Sequence, residues 1–130
     1  MEEKKVQSAK KERAFEGLLE MSDSLELTRI ARRVTDRIVE KIHPEKVILF
    51  GSAARGEANN QSDIDLFIVA NTDKPFPARM SPVHDILHEM HYPWAVESII
   101  YTPDEFRKAQ EKGSLFVYEV LTTGKVLYGS

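Results

Sequence analysis

VILFGSAARGEANNQSDIDLFIVA, residues 47–70, is the stretch whose reading decides the fold. Val47–Phe50 is a short apolar run closed abruptly by Gly51-Ser52, the pattern of a buried strand. Gly56 closes a single helical turn, and Asn59-Asn60-Gln61-Ser62 is loop chemistry. Ile64, Leu66 and Ile68 then alternate with Asp63, Asp65 and Phe67. Side chains two apart on a strand point the same way, so both carboxylates share one face. Two unpaired buried anions would cost far too much, so this face needs a cation. Hard divalent ions such as Mg²⁺ take carboxylate oxygens and keep positions open for substrate phosphates.

The Gly-Ser turn predicts the other half of such a site. A short helix starting at Ala53 would aim its free N–H groups at the end of strand 47–50, and a helix N-terminus holds phosphate through those donors and its dipole. Gly51 allows close approach to the backbone. The Ser52 hydroxyl adds a donor, and Arg55 offers a bidentate clamp for phosphate oxygens. A Walker-type P-loop is excluded. Gly51 and Gly56 have its separation, but Glu57-Ala58 stands where Lys-Ser/Thr is required.

Gly51-Ser52, ten further residues, and then Asp63-Ile64-Asp65 between two strands resembles the signature of the polymerase-β-like nucleotidyltransferase superfamily. It is most similar to the minimal nucleotidyltransferases (MNT), encoded beside helical HEPN-domain partners in toxin–antitoxin pairs. The resemblance spans residues 27–128. It implies an α/β (α+β) nucleotidyltransferase fold: a small mixed β-sheet with flanking helices, here with an extra N-terminal helix. It implies metal-dependent transfer of a nucleotide monophosphate, AMP from ATP, to a hydroxyl acceptor on a partner protein of the HEPN type. Two Mg²⁺ ions, or Mn²⁺, would sit roughly 4 Å apart. On this reading Asp63 and Asp65 hold both ions. Glu97, on the next core strand, is the third ligand and takes the hydroxyl proton. Gly51, Ser52 and Arg55 bind the nucleotide's phosphates. Two positions depart from the family pattern. Glu97 stands where many relatives carry Asp, and Ala53 where many carry Arg. The alternative for Glu97 is an edge-strand side chain facing water, with Asp104 or Glu105 as the next carboxylates to consider.

Composition bounds these readings. At 130 residues with 42% hydrophobic content, one domain with a core is expected. A net charge of −3 exerts no global pull on nucleic acid. There is no Cys, hence no disulfide framework or thiolate site. No apolar run approaches the ~20 residues of a membrane span, and the N-terminus lacks a signal-peptide core, so a soluble, cytoplasmic protein is expected. The sequence leaves homo-oligomerisation open.

Along the chain, residues 3–20 predict a charged helix with a thin apolar stripe of Val6, Phe15, Leu18 and Leu19. Met21-Ser22-Asp23-Ser24 reads as an interruption, with Asp23 and Glu26 as a capping box for a second helix running to Ile42. This divides the chain into an extension, 1–22, and a nucleotidyltransferase domain, 23–130. Residues 71–81, with Pro75 and Pro77, predict an exposed loop, which with residues 3–20 is least committed to the core. Ser81-Pro82 starts a helix over 83–91. Its His84 and His88 have metal-ligand spacing, but no Cys or acidic signature completes a zinc site, so a polar exposed face is the better reading. Residues 94–101 predict the third strand. Thr102-Pro103-Asp104-Glu105 starts a helix ending at Gly113. A short helix over 114–122 and a strand over 125–128 close the chain.

Two functions of different kinds fit this pattern. One is an active nucleotidyltransferase. The other is an antitoxin-like binding module that neutralises its partner by occlusion. Modification of a small molecule fits less well, because little chain is left for an acceptor-binding domain.

Overall fold

The computed structural model describes the backbone of residues 2–59, 61–92 and 95–129, and the side chains of Leu19 and of residues from 21 onward within those ranges. The elements are α1 (Glu2–Ile42), β1 (Lys46–Phe50), β2 (Ile64–Val69), a 3₁₀ turn (Phe76–Ala78), α2 (Ser81–Glu89), β3 (Val96–Tyr101), α3 (Pro103–Glu111), α4 (Leu115–Thr123) and β4 (Lys125–Tyr128). The strands form one sheet in the order β3-β2-β1-β4. β1 runs antiparallel to both β2 and β4, whereas β2 and β3 are parallel. The sheet is therefore mixed, as the sequence predicts.

Strand alternation gives each sheet face its own core. Val47, Leu49, Ile64, Leu66 and Ile68 point toward α1 and α2, where Ala31, Val34, Ile38, Val83 and Ile86 meet them. Ile48, Phe67 and Val69 point the other way and pack with Val117, Val120, Phe106 and Phe116 of α3 and α4. The Phe67 ring touches those of Tyr101, Phe106 and Phe116 in tilted or edge-on geometry. The central strands are thus covered on both sides, which is why 47–50 and 64–69 read as nearly continuous apolar runs.

One expectation fails at the N-terminus. The helix does not break at 21–24, and α1 is a single helix of 41 residues. Ser24 does not stand at a helix start. It is buried, and its Oγ accepts the N–H of Ala58 at 2.9 Å. The Thr28 hydroxyl in turn donates to the Ser24 carbonyl at 2.8 Å. Short polar side chains cost a helix interior only some tenths of a kcal/mol, and a tertiary hydrogen bond offsets that. Val6, Phe15 and Leu18 lie outside the described side chains, while Leu19, Met21 and Leu25 are exposed.

The remaining differences are at element ends. α2 closes at Glu89 because His91 adopts a left-handed φ of 53°. The third strand begins at Val96, and Trp94, its expected first residue, lies outside the described residues. Residues 71–81 are mostly exposed, as expected, and Arg79 ties them to the rest of the fold. The Arg79 guanidinium donates to the carbonyls of Lys74 and Ile100 and to Glu105, at 2.9, 3.0 and 2.7 Å. The α3 start is built as its sequence implies, with a full Thr102/Glu105 capping box. Among the described residues, no helix is long and apolar enough to cross a membrane.

Candidate active site

The site forms where β1 ends and β2 begins. Phe50 pairs with Asp65 across the antiparallel ladder, and Asp65 pairs with Glu97 across the parallel one. All three belong to the face that packs on α3 and α4, at the end of that face. Asp63 precedes the first residue of β2 and is exposed, while Asp65 is half-buried. Glu97 sits on the sheet's edge strand and is exposed, as its solvent-facing alternative requires. It is equally the lateral neighbour of Asp65, as a shared site requires.

Gly51 is fixed by geometry. Its φ is +77°, in the left-handed region that penalises side chains. A Cβ there would also collide with Oδ2 of Asp65. The bare backbone thus lets the turn lie directly against the carboxylate. After it the chain makes a tight turn rather than a helix. The N–H of Arg55 donates to the Gly51 carbonyl at 3.2 Å, and that of Glu57 to the Ser52 carbonyl at 2.9 Å. The N–H groups of Ser52, Ala53 and Ala54 have no acceptor among the described residues. The expected helix from Ala53 is therefore replaced by a cluster of local donors, which can bind an anion without a long helix dipole. Ser24 pins the far side of this segment through Ala58.

Electrostatics at the site are unbalanced. The Asp65 carboxyl is pushed up to about 6 from its usual 3.8. Burial is the largest cause, followed by the charges of Glu97 and Asp63 and a hydrogen bond from the Glu97 side, with Arg55 pulling the other way. Arg55 is half-occupied, its Nε donating to Glu57 at 3.1 Å. A cluster of hard oxygen donors that repel one another fits a divalent cation. Among the described residues, no three His, Asp or Glu side chains are already gathered in ligating positions. Asp63 and Glu97 are close enough to perturb Asp65, and the approach of all three to one ion requires side-chain movement. Asp104 and Glu105 are engaged elsewhere, with Arg107 and Lys108 and with Arg79 respectively. His84 and His88 lie on the exposed face of α2.

A cavity of about 430 Å³ lies on α4 against Leu115, Tyr118 and Leu121 and includes none of these carboxylates. A smaller one, about 190 Å³, opens between Gly51, Arg55 and α4. The chemistry belongs with the second, because it shares Gly51 with the Asp65 contact.

Known proteins resemble this chain in sequence and in fold. The family model described as polymerase beta, nucleotidyltransferase matches residues 32–130. A candidate protein adenylyltransferase of Methanocaldococcus jannaschii is 34% identical over 86 residues, covering 65% of this chain and 78% of that protein. A candidate nucleotidyltransferase from Sulfolobus solfataricus superposes with a TM-score of 0.58 at 18% identity, over 83% of this chain and 85% of that one. A toxin–antitoxin structure with AMP-PNP gives a TM-score of 0.56 at 22% identity, over 76% and 73% of the two chains. These two structures share its fold. With the family model spanning three-quarters of its length, the chain belongs to the polymerase-β nucleotidyltransferase family.

Proposed function

We propose that the protein transfers AMP from ATP to a hydroxyl group of a partner protein. The observation that carries this reading is the abutment of the Gly51 turn, with its unpaired N–H groups, on the Asp65 carboxylate and its neighbour Glu97. A phosphate-binding turn beside an acidic cluster suits a nucleoside triphosphate and little else. The N–H groups of residues 52–54, the Ser52 hydroxyl and Arg55 bind the β- and γ-phosphates. Asp63, Asp65 and Glu97 hold divalent ions, Mg²⁺ or Mn²⁺. Two such ions, when bound, lower the acceptor hydroxyl's pKa and offset charge on the leaving pyrophosphate. Glu97, the most accessible of the two paired carboxylates, takes the hydroxyl proton. The acceptor oxygen then bonds to the α-phosphorus, the bond to the bridging oxygen breaks, and pyrophosphate leaves. Positioning and electrostatics supply most of the acceleration.

The name of the Methanocaldococcus relative supports a protein acceptor, and the likeness to a toxin–antitoxin structure supports a dedicated partner. A HEPN-type helical protein is the partner the sequence resemblance implies. Among the described side chains of α1 the first buried one is Ser24, and the family match begins at residue 32, which supports residues 1–22 as an extension available to that partner. A second reading, occlusion of the partner without essential catalysis, draws on the same toxin–antitoxin likeness.

The test is intact-mass spectrometry of a co-expressed partner incubated with the protein, ATP and Mg²⁺. Addition of one AMP to a hydroxyl side chain, lost in the Asp63→Asn/Asp65→Asn double variant, is the expected result. A stable complex with no adduct, whose partner is silenced equally by the double variant, contradicts catalysis and establishes occlusion.

A further inference from the structure

The cavity of about 190 Å³ beside the Gly51 turn runs from Gly51 and Arg55 to α4, and none of Asp63, Asp65 and Glu97 lines it. It is smaller than the roughly 300–1,000 Å³ of pockets that enclose a whole ligand, so it suits part of one. One wall is apolar: the edges of Phe50 and Phe116, packed T-shaped at 5.6 Å, and Val120. The rim is polar: Arg55 at the Gly51 end, Glu119 and Thr123 on α4. The Thr123 hydroxyl is occupied by the Glu119 carbonyl at 2.7 Å. The Glu119 carboxylate has no hydrogen-bond or ion-pair partner among the described residues.

We propose that this cleft seats the nucleoside half of the donor nucleotide, with the base against Phe116 and a ribose hydroxyl donating to Glu119. The inference rests on the phosphates lying at Gly51 and Arg55. Charge then fixes the direction of the ligand. A carboxylate repels phosphate and accepts hydrogen bonds only, so Glu119 faces the nucleoside, and of the nucleoside's donors the ribose hydroxyls lie nearest the phosphates. An acidic residue reading ribose hydroxyls is the device that dinucleotide-binding folds use for the same purpose. Aromatic contact with the base adds affinity with little selectivity among bases. Glu119 thereby becomes the specificity-determining residue for ribonucleotides over deoxyribonucleotides.

The experiment is calorimetric titration of the full chain with ATP, dATP and inorganic tripolyphosphate, each with Mg²⁺. Three proteins are compared: wild type, Thr123→Trp, which fills the cleft from an exposed position, and Glu119→Gln, also exposed. Thr123→Trp should weaken ATP binding at least about tenfold and leave tripolyphosphate binding unchanged, because only the nucleoside is displaced. Wild type should prefer ATP to dATP about tenfold, the worth of one hydrogen bond to a charged group, and Glu119→Gln should shrink that preference toward unity. Unchanged ATP affinity in Thr123→Trp overturns the proposal. So does equal loss of tripolyphosphate, which would make the cleft a phosphate channel. Failure of wild type to bind either ATP or tripolyphosphate overturns the transferase reading itself, and this inference with it.

Discussion

Asp65 and Glu97 are register partners on adjacent parallel strands, and the turn at Gly51 closes over the first of them. Burial first, and then the charges of Glu97 and Asp63, raise the Asp65 carboxyl to about 6 against 3.8 when unfolded. Between those values the folded chain binds more protons than the unfolded one, so stability falls as pH rises through the window. Without divalent ions, Asp65→Asn should therefore raise the melting temperature at about pH 7, and the gain should vanish below pH 3.8. With Mg²⁺ and ATP the order should reverse, because ligand binding stabilises only the wild type. Binding of that pair should weaken as pH drops through about 6, since the same proton competes with the ion. Differential scanning fluorimetry across pH checks all three. A destabilised, metal-free Asp65→Asn at neutral pH contradicts the electrostatic account.

Glu97 separates a working carboxylate from an edge residue facing water. If it accepts the hydroxyl proton, Glu97→Gln should fold normally and lose about 100-fold in transfer rate, the scale of a positioned general base. Glu97→Asp should retain part of the activity, because the family pattern admits Asp there. Wild-type turnover in Glu97→Gln would leave the third carboxylate to be sought elsewhere.

Gly51→Ala carries two penalties at one position. The φ of +77° costs a side chain roughly 1–2 kcal/mol. The new Cβ must also displace Asp65 Oδ2. We expect a folded protein with a lower melting temperature and no measurable ATP·Mg²⁺ binding. Retained binding would mean that the turn does not hold the phosphates.

Ser24 is a buried polar anchor on Ala58, and Arg79 a partly buried one on Lys74 and Ile100. Ser24→Ala strips the Ala58 N–H of its acceptor, at about 1–3 kcal/mol. Because Ala58 ends the turn segment, ATP·Mg²⁺ affinity should fall as well. Arg79→Met should cost comparable stability by releasing the carbonyls of Lys74 and Ile100, yet leave nucleotide affinity intact. Thermal melts and calorimetry on both variants test the contrast, and equal affinity losses would refute it.

The sequence made the central strand pair legible because both strands are buried on two faces and bounded by Gly51 and by polar loop residues. The Thr102/Glu105 cap was readable because it uses only neighbours in sequence. Ser24 was misread for the complementary reason. Its chemistry at a helix start and its chemistry in mid-helix look alike, and the partner that decides between them is 34 residues away. Extending the helical spacing of Ile38, Val34 and Ala31 backward through Thr28 does reach Ser24, and that was the available signal. Arg79 carried no such signal, since its three acceptors come from separate segments. At the site, the spacing of Asp63 and Asp65 told which residues share a face. It could not tell that Asp65 abuts Gly51, which follows from the antiparallel register of β1 and β2.

The central claim is nucleotidyl transfer at the Gly51–Asp65 junction, and position-labelled ATP tests it most directly. The protein and its partner are incubated with Mg²⁺ and ATP labelled on either the α- or the γ-phosphorus. The account predicts that the α-label becomes covalently attached to the partner and the γ-label leaves as pyrophosphate, with neither event in the Asp63→Asn/Asp65→Asn variant. Attachment of the γ-label, or attachment that survives the double substitution, would contradict it.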